Sequence, residues 1–157
     1  MTGGELDGAK LDAELAFPAE IKQALTNLRV SYPVNISDLP APESQSSKEV
    51  SMQVIGQNRL VNVVQGTGPR GILANLYFDQ ESGLLIRVVR YGKSPIGRVP
   101  TQVDYGDYRD VGGGLKMPFH MVFAWMDGRD AIQLKEIQTN VPIDASKFSP
   151  PPAPKGQ

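Results

Sequence analysis

The chain has 157 residues, no cysteine and a formal net charge of -1, with 40% hydrophobic and 21% charged residues. That is the length of one globular domain, since domains most often hold about 100–150 residues. The near-zero charge gives no global field toward nucleic acid or an anionic membrane. The missing cysteines exclude disulfides, thiolate metal sites, thiol nucleophiles and covalent haem attachment. No run of about 18 apolar residues occurs, so a membrane-spanning helix is not expected.

Residues 1–16 lack the apolar core of a signal peptide. They read as a flexible N-terminal segment in which Gly3-Gly4-Glu5-Leu6-Asp7-Gly8 resembles a linker. The expectation is therefore a cytoplasmic chain, or a mature or excised piece of a longer exported protein, with the linker favouring the piece. Phe17-Pro18 opens the one predicted helix, because proline suits the first helical position. Ile21, Leu25 and Leu28 follow at helical spacing with Ala24 beside them, while Lys22, Gln23, Asn27 and Arg29 face away. Such a one-sided helix, running to Arg29, needs a sheet to pack on.

Val30–Ile36 reads as a short strand, at an edge or bulged because Pro33 cannot donate to a ladder. Residues Asp38–Glu49 are polar and rich in Pro and Ser, and read as a loop. Val50–Ile55 and Leu60–Gln65 flank a turn at Gly56-Gln57-Asn58. Leu73–Asp79 and Leu84–Tyr91 flank Gln80-Glu81-Ser82-Gly83. Arg98–Tyr108 is a longer strand with bends expected at Pro100 and Gly106. Gly112-Gly113-Gly114 turns into Leu115–Met126, and Asp127-Gly128 leads into Arg129–Gln138. Asp144–Phe148 is expected to form a last turn that tucks Phe148 against the sheet. Ser149–Gln157 reads as a disordered Pro-rich tail. The sum is a mainly β domain over residues 17–148, an antiparallel meander of about seven strands with one helix. Such a sheet twists and curves toward a half or unclosed barrel.

The strongest pattern is in Leu115–Trp125. Leu115, Met117, Phe119, Met121, Phe123 and Trp125 fall on one side of a period-two strand. Half-buried strands always carry an apolar face, so this is core alone, or core that continues into a ligand or partner surface. One helix covers one or two strands of a seven-strand sheet, and two methionines suit adaptable apolar contact.

Catalytic and metal motifs are weak. His120 is the only histidine and lies opposite the apolar face. Asp104, Asp107 and Asp110 do not follow the calcium-loop pattern and read as strand and turn acids, with Arg109 a partner for one of them. Gly66-Thr67-Gly68-Pro69-Arg70-Gly71 lacks the ending and the following helix of a phosphate loop. There is no nucleophile elbow. An enzyme would need His120 and an acid such as Asp104 to meet in a pocket. The reading is non-enzymatic, with no catalytic residue, no metal and no cofactor.

Several motifs resemble one family. Leu76-Tyr77-Phe78-Asp79 followed by Ser82-Gly83-Leu84-Leu85 is similar to a strand pair of the LolA/LolB-like outer-membrane lipoprotein-sorting superfamily. Asp107-Tyr108-Arg109, Lys116-Met117-Pro118-Phe119 and Asn140-Val141-Pro142-Ile143-Asp144 with Phe148 add to it. Gly97–Tyr105 and Trp125–Arg129 more closely resemble a C-terminal domain of exported acidobacterial proteins, some of which carry a c-type cytochrome part. The resemblance covers Gly66–Phe148 and implies a curved antiparallel sheet whose concave side takes up an acyl chain, and a periplasmic or envelope location. This chain departs from it in showing one helix rather than several lids, and no haem motif. The expected ligand-binding residues are Leu76, Phe78, Met117, Phe119, Met121, Phe123 and Trp125. The expected partner is a hydrophobic ligand or lipoprotein acyl chain, and not nucleic acid. The alternative is an accessory module that docks on a larger exported protein.

Overall fold

The computed structural model describes residues 3–15, 21–38, 55–56, 58–94 and 97–149. The alternating stretches pair into an unclosed antiparallel sheet of eight strands. They are β1 (Thr26–Val30), β2 (Val34–Asn35), β3 (Leu60–Thr67), β4 (Leu73–Asp79), β5 (Leu85–Ser94), β6 (Gly97–Asp110), β7 (Lys116–Trp125) and β8 (Gly128–Gln133). The order is β1-β3-β4-β5-β6-β7-β8, and β2 also pairs with β3. From β3 onward each strand pairs with the next in sequence, as short turns require. β1 and β2 share one side of β3, with Val30 opposite Val64 and Val34 opposite Val61. Pro33 falls in the break between them, which is where a residue without an N–H does no harm to a ladder.

Both faces of the sheet carry apolar clusters over β3–β5, and one of them continues onto β6. On one face Ala74, Leu76, Leu85, Val88, Val103 and Tyr105 join Leu11, Leu15, Ile21 and Leu25 in a continuous core. On the other, Val61, Tyr77, Ile86 and Val89 pack with Ile36 and Ile55. Residues of β4 and β5 are therefore buried on both sides, which is why they read as near-continuous hydrophobic runs. Burial thins toward β8, where nearly every residue is exposed.

The helical part of the chain is not where the sequence pattern put it. Residues 3–15, expected to be a flexible linker-like segment, form helix α1 (Gly3–Leu15), with Leu11 and Leu15 fully buried. Of the predicted helix from Pro18 to Arg29, the described residues hold α2 (Ile21–Ala24), which ends with Leu25 N–H donating to Ile21 C=O at 2.9 Å. Beyond it the chain joins the sheet. Thr26 pairs with Thr67 and Arg29 with Gln65, and a bulge between them holds Asn27 in the left-handed region, at φ 53°. Asparagine tolerates that conformation better than most residues, and the bulge ends any helical continuation. Ile21 and Leu25 keep their predicted buried role, while Leu28 stays largely exposed.

α1 would be marginal alone, because helices of this length rarely hold in water without packing. Two ion pairs fix it to the sheet. Asp12 accepts from Arg90 Nε at 2.6 Å and Nη2 at 2.8 Å, and Asp7 meets Arg70 Nε at 2.6 Å. Gly8 is the residue that permits the approach, since a Cβ there would lie 2.6 Å from Arg90 Nη1.

Two further expectations change. The last turn forms as a 3-10 helix at Ala145–Phe148, capped by Asp144, but Phe148 points to solvent at 77% exposure and does not tuck against the sheet. The strand predicted over Arg129–Gln138 ends at Gln133. The Phe17-Pro18 helix start lies outside the described residues. So does the Asp38–Glu49 loop beyond Asp38, the Val50–Ile55 strand before Ile55, and the tail after Ser149.

Gly66 on β3 tests the docking of the Leu25 turn. A Cβ there would stand 2.9 Å from Leu25 Cβ and 2.9 Å from Leu28 Cδ2. A Gly→Ala change where the backbone tolerates it stabilises by about 0.4–1 kcal/mol. Gly66→Ala is expected to reverse that sign and destabilise by about 1–3 kcal/mol in urea unfolding, as overpacking does.

Candidate ligand-binding site

The centre of the sheet is fixed by charge rather than by grease. Arg87 on β5 stands opposite Asp104 on β6, and both side chains are buried. Arg87 Nε donates to Asp104 Oδ1 at 2.6 Å and Nη2 to Oδ2 at 3.0 Å, while Gln102 Nε2 donates to Oδ2 at 3.0 Å. This forked pairing takes both carboxylate oxygens, so Asp104 has no free oxygen for acid–base work with His120. His120 is half-buried, opposite Gly106 and Gln133. Nor do the three aspartates converge. Asp107 is engaged by Arg109, as the sequence suggested, and Asp110 accepts from Gly112 N–H at 2.7 Å. Among the described residues no cluster of three His, Asp or Glu could hold a metal.

Two backbone irregularities at one end of the sheet shape a pocket. Between β4 and β5, Tyr77 faces Arg87 but Phe78 faces Leu85, so Ile86 is an extra, bulged residue. Leu85 and Val88 consequently face the same core, while Ile86 enters the opposite one. On β6, Asp107 sits in the left-handed region at φ 51°. Tyr105 and Tyr108, three apart, would fall on opposite faces of a regular strand, yet both pack against the α1 side core. Tyr108 Oη donates to Leu85 C=O at 2.5 Å and ties the two irregularities together.

The result is an apolar pocket of about 170 Å³ lined chiefly by Phe78, Leu85, Tyr105, Tyr108, Met117 and Pro118. Burial pushes the Tyr108 phenol up to about 12 and raises Tyr105 as well, so both wall rings are neutral at ordinary pH, and burial raises Tyr77 in the opposite core too. Asp107 and Arg109 close the neighbouring surface. Arg109 holds the Asp107 carboxyl below the usual range, and its guanidinium lies 4.5 Å over the Phe119 ring.

The seven residues singled out in the sequence therefore have different fates. Phe78 and Met117 line the pocket. Leu76 is fully buried core, and Phe119 is buried with Arg109 stacked on it. Met121 and Phe123 are half-buried against the α1 side core, and Trp125 is 44% exposed beside the β7–β8 turn. The pattern on β7 missed Leu85, Tyr105 and Tyr108, because their placement depends on the two irregularities and not on alternation. Compared with protein-family models, curated proteins and solved structures, the chain gives no match. No described helix is long and apolar enough to cross a membrane.

Two outcomes check this arrangement. Asp104→Ala leaves Arg87 charged and buried, and is expected to cost about 3–5 kcal/mol in denaturant unfolding, whereas a double change to apolar residues of similar size recovers most of the loss. For the tyrosines, a pKa raised on folding means stability that is complete below about pH 10 and falls as pH rises toward 12. Alkaline titration at 295 nm is expected to show three of the five tyrosines ionising last, together with unfolding.

Proposed function

We propose that this is a non-enzymatic binding domain that takes the end of an alkyl or acyl chain between Phe78, Leu85, Tyr105, Tyr108, Met117 and Pro118. The observation that carries the reading is the apolar pocket at the strand ends, beside the α1 side core. Its volume is below the roughly 300 Å³ at which whole small-molecule sites begin, so it suits a chain terminus and not an entire ligand. Burial of that terminus supplies the driving force, at about 25 cal/mol per Å² before ordering costs. The resemblance of the sequence motifs to lipoprotein-sorting carriers supports this reading, and with it we propose a periplasmic or envelope location and an acyl chain as ligand. Here the chain enters at the sheet's end, because α1 and α2 occupy the face over β3–β5.

One observation favours a second reading, a module that docks on an envelope protein. Trp125, Met126 and Ile132 are exposed beside β8, and among the described residues no strand pairs with its outer side. Edge strands with apolar exposure are ready templates for association.

Met117→Glu separates the two. It puts a charge in the pocket at a half-buried position, and is expected to weaken binding of a dodecyl probe at least about tenfold, or 1.4 kcal/mol. Unchanged probe binding, or loss of partner capture with Ile132→Lys alone, supports docking instead.

A further inference from the structure

The head group that accompanies the chain is legible in the cavity next door, an inference that rests on the tail-pocket reading above. A cavity of about 530 Å³ lies across a shared wall of Leu84, Tyr105 and Tyr108. Arg59, Asp79, Glu81, Ser82 and Asp107 give it its polar groups. A second polar cavity of about 400 Å³ continues past Arg59, Asp79 and Glu81 along the turn after β4. The apolar pocket and the larger polar cavity lie on opposite faces of the sheet, since Ile86 belongs to one core and Phe78 and Leu85 to the other. They meet at its end round the Leu84 turn, so an amphiphile that fills both bends over that turn.

Asp79 is the informative residue. It is only 6% exposed, and its Oδ2 accepts from the Ser82 amide at 2.9 Å and the Ser82 hydroxyl at 2.5 Å. Oδ1 faces Arg59 Nη1 at 3.8 Å, beyond hydrogen-bond reach, and no described residue donates to it. Burial pushes the carboxyl up, but the Ser82 bonds and the Arg59 charge outweigh this, so it is held below the usual range. At neutral pH it is an acceptor only, with an oxygen that gains from a new donor. Asp107 is neutralised by Arg109, but Asp79 and Glu81 stand against the single lining cation Arg59, so an anionic head meets net repulsion here.

We propose that the ligand is a single-chain amphiphile whose head donates hydrogen bonds and carries no negative charge, a hydroxyl-rich or amine head seated at Asp79 with its tail beside Met117. A fatty-acid anion is the ligand this site disfavours.

The test compares three probes with one dodecyl-length tail, each below its micelle concentration: monolauroylglycerol, dodecylamine and dodecanoate. Affinities are read by equilibrium dialysis on the full chain at neutral pH. The glycerol and amine probes are expected to bind at least about tenfold tighter than dodecanoate. Asp79→Asn keeps an oxygen for Ser82 and is expected to cost the amine probe about tenfold while changing dodecanoate little. Should that variant not fold, Glu81→Gln at its exposed position is expected to narrow the amine-over-acid ratio. Dodecanoate binding as tightly as the others, with Met117→Glu abolishing all three, overturns the head-group inference and leaves the tail pocket standing. No binding by any probe overturns both.

Discussion

Everything in this fold is arranged about a fully buried ion pair. Arg87 and Asp104 face each other across β5 and β6, and each hydrogen bond of their fork fixes one strand relative to the other. A slip of one residue between the strands would put the two charges on opposite faces of the sheet and part them. A buried pair adds little net stability against an apolar replacement, but breaking it leaves a bare charge. Its value is registry. With β5 and β6 locked, Val88 and Val103 meet the α1 side core, and Arg90 arrives under Asp12. The docking of α1 therefore follows from the same register.

The pocket is a consequence of where that regular register stops. Below Arg87 the bulge at Ile86 shifts the pairing with β4, and beyond Asp104 the left-handed Asp107 turns β6. Tyr108 bridges these two departures through Leu85 C=O. Bulges cluster at sheet edges and next to sites because they re-aim side chains. Here they bring Leu85, Tyr105 and Tyr108 to one place against Phe78 and Met117. The adjoining turn from Asp79 to Ser82 supplies charge on the other side of the tyrosine wall. A functional end and a rigid middle are thus set by neighbouring residues of the same strands.

The meander was legible because alternation and turn residues agree from Leu73 to Gly128: the predicted Leu73–Asp79 is β4, and β7 departs by one residue at each end. Phe78 and Met117 were legible as apolar surface on the same grounds. α1 was not, because Gly3, Gly4 and Gly8 weigh against helix by local propensity. Gly8 is explained only by Arg90, eighty-two positions away in sequence order and adjacent in space. The helix predicted to run to Arg29 stops at Ala24 for a complementary reason. Ile21, Leu25 and Leu28 have helical spacing, but Thr26–Val30 found a ladder on β3 and the bulge at Asn27 absorbed the mismatch. Tyr105 and Tyr108 carried no signal, since three-residue spacing in a strand argues for opposite faces until Asp107 is known to be left-handed.

The central claim is that the strand-end pocket receives an alkyl chain. Methyl-labelled methionine NMR reads this directly, because Met117 lines the pocket, Met121 lies half-buried in the core and Met126 is exposed at the β7–β8 turn. Titration with a dodecyl probe is predicted to move the Met117 methyl first, with Met121 following weakly and Met126 unchanged. Movement confined to Met126, or no movement at any of the three, would contradict the account.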